Sequence, residues 1–162
     1  MNALIYQINI KAETPGERGI PKLPVDSVDI TVDGMRGDYN RYRTEKKKRD
    51  PHKAVMLIPL ETIQELRTEG WPIEPGHLGE NITTQGVHYN FFEIGQKYKV
   101  GSSLIEITEP CTPCANLKLL PYVGEERKNE FMKILIGRRG WYAKVITEGR
   151  VAKGDGIERL LS

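Results

Sequence analysis

The chain has 162 residues, with 24 lysines and arginines against 22 aspartates and glutamates, for a formal net charge of +2. This length is typical of one domain, and the small charge argues against nucleic-acid binding. No segment approaches the ~20 consecutive apolar residues of a membrane-spanning helix, and two cysteines provide no disulfide framework. We therefore expect a single domain over residues 1–162, cytoplasmic, with neither nucleic acid nor membrane as a partner.

The first half of the chain contains three predicted strands. Apolar and polar residues alternate over residues 4–11 and 28–33, which is the two-residue period of a half-buried strand. Prolines and glycines over residues 14–24 predict a loop between them. The apolar run over residues 54–58 predicts a strand that is buried on both faces.

Two helices and several short strands are predicted after this run. Pro59 and Gly70 delimit a helix with one apolar face, and a second helix is expected over residues 125–136, ended by Gly137. Further strands are expected over residues 98–100, 103–108, 141–146 and 157–161. Glu148 and Gly149 predict a hairpin turn after the third of these. Many short strands with only two helices favour a mainly β fold, an antiparallel or mixed β-barrel.

The tetrapeptide Cys111-Thr112-Pro113-Cys114 has several interpretations. A thioredoxin-like redox pair requires a βαβ context, for which the sequence leaves little room before Pro121. A zinc half-site lacks a second pair of ligands at suitable spacing. The remaining interpretations are a single functional thiolate in a loop at a strand end, and cysteines buried as small hydrophobic residues.

Polar residues cluster in the segment 75–86, where His77, Glu80 and Asn81 lie close together in sequence. A turn leading into a strand accounts for the glycines and the proline without any function. The three polar side chains are nevertheless candidates for proton transfer and hydrogen bonding.

Two basic clusters are candidate anion sites. One lies in residues 41–50 and includes Lys46, Lys47, Lys48 and Arg49; the other is the pair Arg138 and Arg139. Guanidinium groups bind phosphate bidentately, so the two clusters are predicted to flank one anion-binding cleft with a path to Cys114. The alternative is a solvated charged loop and ordinary surface salt bridges.

The ordered set of motifs resembles the MOSC domain, named for the C-terminal part of molybdenum cofactor sulfurases, and in particular its small stand-alone bacterial members. The matching stretches are Gly37-Asp38, residues 54–57, residues 72–76, residues 79–83, Pro113-Cys114, residues 140–143 and Gly154-Asp155.

The resemblance implies a MOSC-like β-barrel with short peripheral helices that binds molybdenum cofactor, a molybdopterin, with Cys114 as the metal ligand. Related proteins are associated with reduction of N-hydroxylated compounds or with sulfur transfer. The expected function is an oxidoreductase with electron-donor partner proteins, or a non-enzymatic carrier of the cofactor or of a persulfide for cofactor-receiving enzymes. Pyridoxal phosphate would need a separate domain.

Residue type suggests roles for other residues beside such a cofactor. Asn81 is expected to hydrogen-bond the oxo group or the substrate oxygen, while Glu80 or His77 would relay a proton. The residues expected to hold the cofactor are Lys48, Arg49, Arg138, Arg139 and Tyr142. One departure is that Lys48-Arg49-Asp50 stands where many relatives have His-Gly-Gly, which predicts an altered ligand or loss of activity.

Overall fold

The computed structural model describes residues 2–16, 19–39, 48 and 50–161. This part of the chain is mainly β and has two α-helices, α1 (Leu60–Thr68) and α2 (Gly124–Ile134). Its strands are β1 (Leu4–Ile10), β2 (Leu23–Val25), β3 (Ser27–Thr31), β4 (Gly34–Met35), β5 (Val55–Pro59), β6 (Ile82–Gln85), β7 (Lys97–Val100), β8 (Ser103–Pro110), β9 (Trp141–Thr147), β10 (Gly149–Ala152) and β11 (Ile157–Arg159).

The strands form one large mixed sheet and one small sheet. The large sheet has the order β11-β7-β8-β9-β5-β6-β1-β2, and the small one has the order β10-β3-β4. Within the described residues, the pairing of β5 with β6 is the parallel one and the other neighbours are antiparallel. The prediction of a mainly β fold with two helices is therefore confirmed.

Backbone hydrogen bonds join β1 to the segment that precedes β11. The amide of Ile5 donates to the carbonyl of Asp155 at 2.8 Å, and the amide of Ile157 donates to the carbonyl of Ala3 at 2.9 Å. Only an isolated bridge between Leu4 and Gly156 marks this junction, so the ladder is not continuous there. Closure of the sheet into a barrel stays a prediction.

Strand β5 separates two hydrophobic clusters. All five of its residues are buried, as the apolar run predicts, because β6 and β9 pair with its two edges and apolar side chains cover both faces. Val55 and Leu57 belong to the cluster shared with β1, β7 and β8, whereas Met56 and Ile58 point to the cluster beneath the helices. This second cluster also contains Cys111 and Tyr142, so it supports the candidate site.

The helices cover the second cluster. Pro59 has an extended backbone and precedes the first turn of α1, and Leu60, Ile63 and Leu66 form its buried face. Helix α2 buries Phe131, whose ring centroid lies 4.7 Å from that of Trp71. Neither helix in the described part of the chain is long and apolar enough to cross a membrane.

Two local predictions are wrong. The predicted loop over residues 14–24 ends early, because β2 starts at Leu23 and Pro24 is opposite Asn9 of β1. Pro24 is tolerated because β2 lies at the edge of the sheet, where a missing amide donor breaks no inner ladder. The predicted hairpin at Gly149 is absent as well, since β10 pairs with β3 while β9 pairs with β5 and β8.

Candidate functional site

A cavity of about 340 Å³ opens where β8 ends and β9 begins. Both cysteines line it, together with residues contributed by the segments before β2 and β5 and by β9. The side chains that bear on its chemistry are Lys22, Lys53, Cys111, Cys114, Arg139 and Tyr142. Sequence positions far apart thus converge on the segment 111–114.

The segment 111–114 is held at both ends by backbone hydrogen bonds. The amide of Cys111 donates to the carbonyl of Gly140 at 2.8 Å, which ties the end of β8 to the start of β9. The carbonyl of Cys114 accepts from the amide of Leu117 at 3.2 Å and begins a short 3₁₀ helix. The two thiols are therefore placed by the sheet and by this turn rather than by a free loop.

The two thiols differ in exposure. Cys111 is buried in the second hydrophobic cluster, while Cys114 is exposed at the cavity. Both cysteines line the cavity, but Cys114 is the one with a large exposed surface. The two cysteines are therefore not equivalent, and Cys114 is the more accessible of them.

Tyr142 forms the wall beside Cys111. Its side chain is buried, and this burial, together with a hydrogen bond to the side chain of Cys111, raises the pKa of the Tyr142 hydroxyl. The ammonium of Lys53 lies 4.5 Å from the centre of the Tyr142 ring and forms an ion pair with Glu109. Tyr142 is therefore a neutral side chain in the cavity wall, and the ammonium of Lys53 lies over its ring.

Arg139 is a buried cation in the same wall. The residue is 6% exposed, and its Nη1 lies 3.6 Å from the sulfur of Met56, which is a weak acceptor. Among the described residues, none accepts a hydrogen bond from its buried Nε. A buried donor without an acceptor costs free energy, so this position of Arg139 is unfavourable for stability in the structure as described.

Glu80 is fully buried behind the cavity and is not one of its lining residues. Its Oε2 accepts from the hydroxyl of Thr83 at 3.1 Å, while no partner for Oε1 lies among the described residues. Burial raises the pKa of Glu80, and the positive charge of Arg139 opposes that rise. Burial thus shifts Glu80 toward its protonated form relative to a free carboxyl.

We expect Glu80→Gln to reduce the pH dependence of stability. A carboxyl whose pKa is raised on folding contributes stability that is present below its unfolded pKa, near 4.5, and is lost as pH rises through the folded value. Glutamine resembles the protonated acid and has no such proton to lose. Urea unfolding at about pH 4 and about pH 8 should show the variant gaining on the wild type at the higher pH. An unchanged difference at the two pH values would show that Glu80 is not the group responsible.

The side-chain amide of Asn81 is held by hydrogen bonds within the protein. Its Oδ1 accepts from the amide of Met56 at 3.0 Å, and its Nδ2 donates to Asp38 at 2.8 Å. The same carboxylate forms a buried ion pair with Lys22 at 2.6 Å. These contacts engage both ends of the Asn81 amide, and Asn81 is not among the residues that line the cavity. Its predicted contact with substrate stays a prediction.

His77 also lies away from the cavity lining. Its Nδ1 accepts from the amide of Glu74 at 3.2 Å and lies 3.1 Å from the hydroxyl of Tyr122. Burial lowers the pKa of His77, which favours the neutral ring. The structure therefore does not bring His77, Glu80 and Asn81 to one surface of the cavity.

The two adjacent arginines have different surroundings. Arg138 forms ion pairs with Glu65 at 2.8 Å and with Glu69, and its Nε donates to the carbonyl of Ile134 at 3.1 Å. These contacts fix it against α1, whereas Arg139 lines the cavity. Lys48 is exposed, while Lys46, Lys47 and Arg49 lie outside the described residues. Of the two predicted clusters, Arg139 is thus the described residue that lines the cavity, and the two-sided anion-binding cleft stays a prediction.

Sequence reasoning missed Lys22 and Lys53. Lys53 lies two residues before the buried strand β5, shortly after the place where the His-Gly-Gly motif is absent, and this position could have identified it. Lys22 lies in the predicted loop before β2 and gives no such signal. Within the described residues, no group of three or more His, Cys, Asp or Glu side chains forms a metal site.

The sequence comparisons give a consistent family. The profile of the MOSC domain matches residues 44–158. Uncharacterized protein YflK of Bacillus subtilis is 30% identical over 149 residues, which cover 89% of this chain and 64% of that protein. A protein named "Reductase" from Gibberella moniliformis is 35% identical over 86 residues, covering 52% of this chain and 15% of its own length. The chain thus spans less than two thirds of either relative.

A solved structure has the same architecture as this chain. The crystal structure of YiiM from Geobacillus stearothermophilus aligns with a TM-score of 0.71 at 24% identity, covering 98% of this chain and 75% of that one. At this identity the likeness shows the fold.

Proposed function

The chain belongs to the MOSC domain family, and from that premise we propose that it is a molybdenum-cofactor-binding oxidoreductase that reduces N-hydroxylated compounds. In this proposal Cys114 ligates the metal. The observation that carries it is the exposed Cys114 at a cavity whose charged lining residues are three cations, Lys22, Lys53 and Arg139, and one acid, Glu109.

The residues present suit an anionic, sulfur-ligated group. The cavity volume, about 340 Å³, lies within the usual range for small-molecule sites. Thiolate is a soft ligand that suits a metal already held by dithiolene sulfurs. Arg139 lines the cavity and would supply a positive charge beside a bound anion.

Each residue has a distinct role in this proposal. Cys114 would hold the metal, Tyr142 would pack against the cofactor, and Arg139 would donate hydrogen bonds to it. Lys48, Arg49 and Arg138 remain proposed cofactor contacts at the periphery, with Arg138 the least available because of its ion pairs with α1. Glu80 would hold a proton behind the wall, with His77 as a proton carrier from the surface and Asn81 as a donor to the substrate oxygen.

Reduction as the reaction type is supported by a separate observation, the similarity to a reductase. Bound cofactor would supply the two-electron chemistry by which an N-hydroxy compound becomes an amine and water. The two electrons would come from a partner protein, and the two protons from solvent through residues such as Glu80. The similarity of half the chain to a protein named as a reductase supports reduction as the reaction type.

Purification from a host that makes molybdenum cofactor tests the proposal. We expect about one molybdenum and one pterin per chain, and reduction of a hydroxylamine-type substrate when an artificial electron donor is supplied. Absence of molybdenum from the purified protein would refute the proposal.

The carrier function is the second candidate. An exposed thiol is also what a persulfide or a transferable cofactor would require, and Cys114 is exposed. Bound molybdenum or a persulfide without turnover, followed by transfer to a cofactor-receiving enzyme, would favour the carrier over the oxidoreductase.

A further inference from the structure

The hydroxyl of Tyr89 binds the backbone of Gly140 on both sides of its α-carbon. It accepts a hydrogen bond from the amide of Gly140 and donates one to the carbonyl of the same residue, each at 3.0 Å. The amide belongs to the peptide group before the α-carbon and the carbonyl to the peptide group after it, so one hydroxyl restrains both backbone torsions of Gly140. Glycine has more backbone freedom than any other residue, which makes this restraint effective.

Tyr89 is itself held by the residue that follows Gly140. Its ring centroid lies 5.1 Å from that of Trp141, and its carbonyl accepts a hydrogen bond from Nε1 of Trp141 at 3.1 Å. Tyr89 begins a short 3₁₀ helix, Tyr89–Phe91, and is not one of the residues that line the cavity. The hydroxyl thus belongs to an anchored residue outside the cavity.

Gly140 connects this anchored residue to the cavity. Its carbonyl also accepts a hydrogen bond from the amide of Cys111, and the preceding residue, Arg139, lines the cavity. Burial raises the pKa of the Tyr89 hydroxyl, and both Cys111 and Arg139 are close enough to affect it electrostatically. A change in the backbone of Gly140 would therefore move Cys111 and Arg139 together.

We propose that Tyr89 is a positioning residue, whose hydroxyl sets the place of the segment 111–114, and so of Cys114, through the backbone of Gly140. The far end of that segment is the turn in which the carbonyl of Cys114 accepts from the amide of Leu117. The geometric role of Tyr89 is independent of the proposed function, whereas its effect on turnover rests on that function.

Tyr98 offers a matched control, because its hydroxyl makes the same two kinds of hydrogen bond elsewhere. It donates to the carbonyl of Phe91 at 2.6 Å and accepts from the amide of Glu93 at 3.1 Å. Tyr98 is buried in β7, in the hydrophobic cluster that does not contain Cys111. Tyr89→Phe and Tyr98→Phe therefore remove equivalent bonds, one pair next to the site and one pair away from it.

Hydrogen exchange of two backbone amides tests the geometric role. In Tyr89→Phe, the amide of Cys111 should exchange about tenfold faster than in the wild type, because its acceptor loses both restraining hydrogen bonds. The amide of Leu117, which reports on the turn at Cys114, should also exchange faster. In Tyr98→Phe, both amides should exchange at the wild-type rate, although urea unfolding should show a similar loss of global stability.

Two results would overturn the positioning role. One is wild-type exchange of either amide in Tyr89→Phe, since the effect would then not reach Cys114. The other is an equal increase in Tyr89→Phe and Tyr98→Phe, which would show a general loss of stability instead of a local displacement.

Turnover of cofactor-loaded protein tests the consequence for the reaction. A displacement of about 1 Å can cost about 100-fold in rate, so kcat per bound molybdenum should fall by about tenfold or more in Tyr89→Phe. KM should change less, because Tyr89 does not line the cavity, and Tyr98→Phe should keep the wild-type kcat.

An unchanged kcat in Tyr89→Phe would refute the effect on the reaction. Absence of molybdenum from the wild type would instead refute the proposed function, while the exchange of Cys111 and Leu117 would still decide the geometric role of Tyr89.

Discussion

Cys114→Ser should abolish molybdenum retention and leave the fold unchanged. The side chain is exposed, so the substitution disturbs no packed contact, but a hydroxyl is a poor ligand for a metal that is otherwise held by sulfur. Molybdenum content should fall to background, and hydroxylamine reduction with it, while the thermal midpoint of the variant stays that of cofactor-free wild type. The measurements are metal analysis and turnover on protein from a cofactor-competent host, and thermal unfolding of both proteins without cofactor.

Cys111→Ser is the matched control. It places a hydroxyl in the second hydrophobic cluster, so the variant should lose about 1–3 kcal/mol of stability unless the hydroxyl pairs with Tyr142. Its molybdenum content should remain close to that of the wild type. Equal loss of metal in both variants would instead favour a redox pair of cysteines. Retention of metal by Cys114→Ser would leave Cys114 without the proposed role.

Gly140→Ala is expected to lower the free energy of unfolding by about 4 kcal/mol. The φ of Gly140 is +117°, and a β-carbon there would lie 2.7 Å from a side-chain carbon of Ile58 and 2.9 Å from the carbonyl oxygen of Leu57. Backbone strain and overpacking each cost about 1–3 kcal/mol, and a neighbouring backbone atom has little room to move. Denaturant unfolding measures the loss.

The same substitution should also disturb the site. The carbonyl of Gly140 holds the amide of Cys111, and its own amide donates to the hydroxyl of Tyr89 at 3.0 Å. Gly137→Ala is the control, because Gly137 also has a positive φ but an added β-carbon there meets no atom within 4 Å. That variant should lose only about 1 kcal/mol. Similar losses in the two variants would show that φ alone, and not the close contact with β5, explains the role of Gly140.

Much of the fold could be predicted from the sequence because burial leaves a periodic pattern. The alternation before Lys11 gives β1, the apolar run gives β5, and Pro59 with Gly70 gives α1. The choice of which strands pair with each other leaves no such periodic pattern in the sequence. Gly149 looked like a hairpin residue, but a β-carbon there would lie 2.6 Å from the backbone of Ser102, so close packing explains the glycine. The chain then pairs with β3, far away in sequence.

Only part of the candidate site could be predicted, because the sequence does not show which side chains contact one another. Residue type identified the thiols and the arginines as chemically capable, and the exposure of Cys114 beside a cavity is consistent with that choice. Residue type does not tell which polar groups already have partners. Arg138 is engaged by acids of α1, and Asn81 by Met56 and Asp38, through contacts that sequence spacing does not reveal.

The proline in β2 has a consequence for how copies of this protein behave at high concentration. β2 is the outermost strand at one end of the large sheet, and an uncovered strand edge is a template on which a strand of another molecule can pair. Pro24 offers no amide hydrogen, so an incoming strand would find a gap in the row of donors. Without this gap, the exposed apolar side chain of Leu23 would favour association of this edge with another molecule. Pro24 thus limits edge-to-edge association at this end of the large sheet.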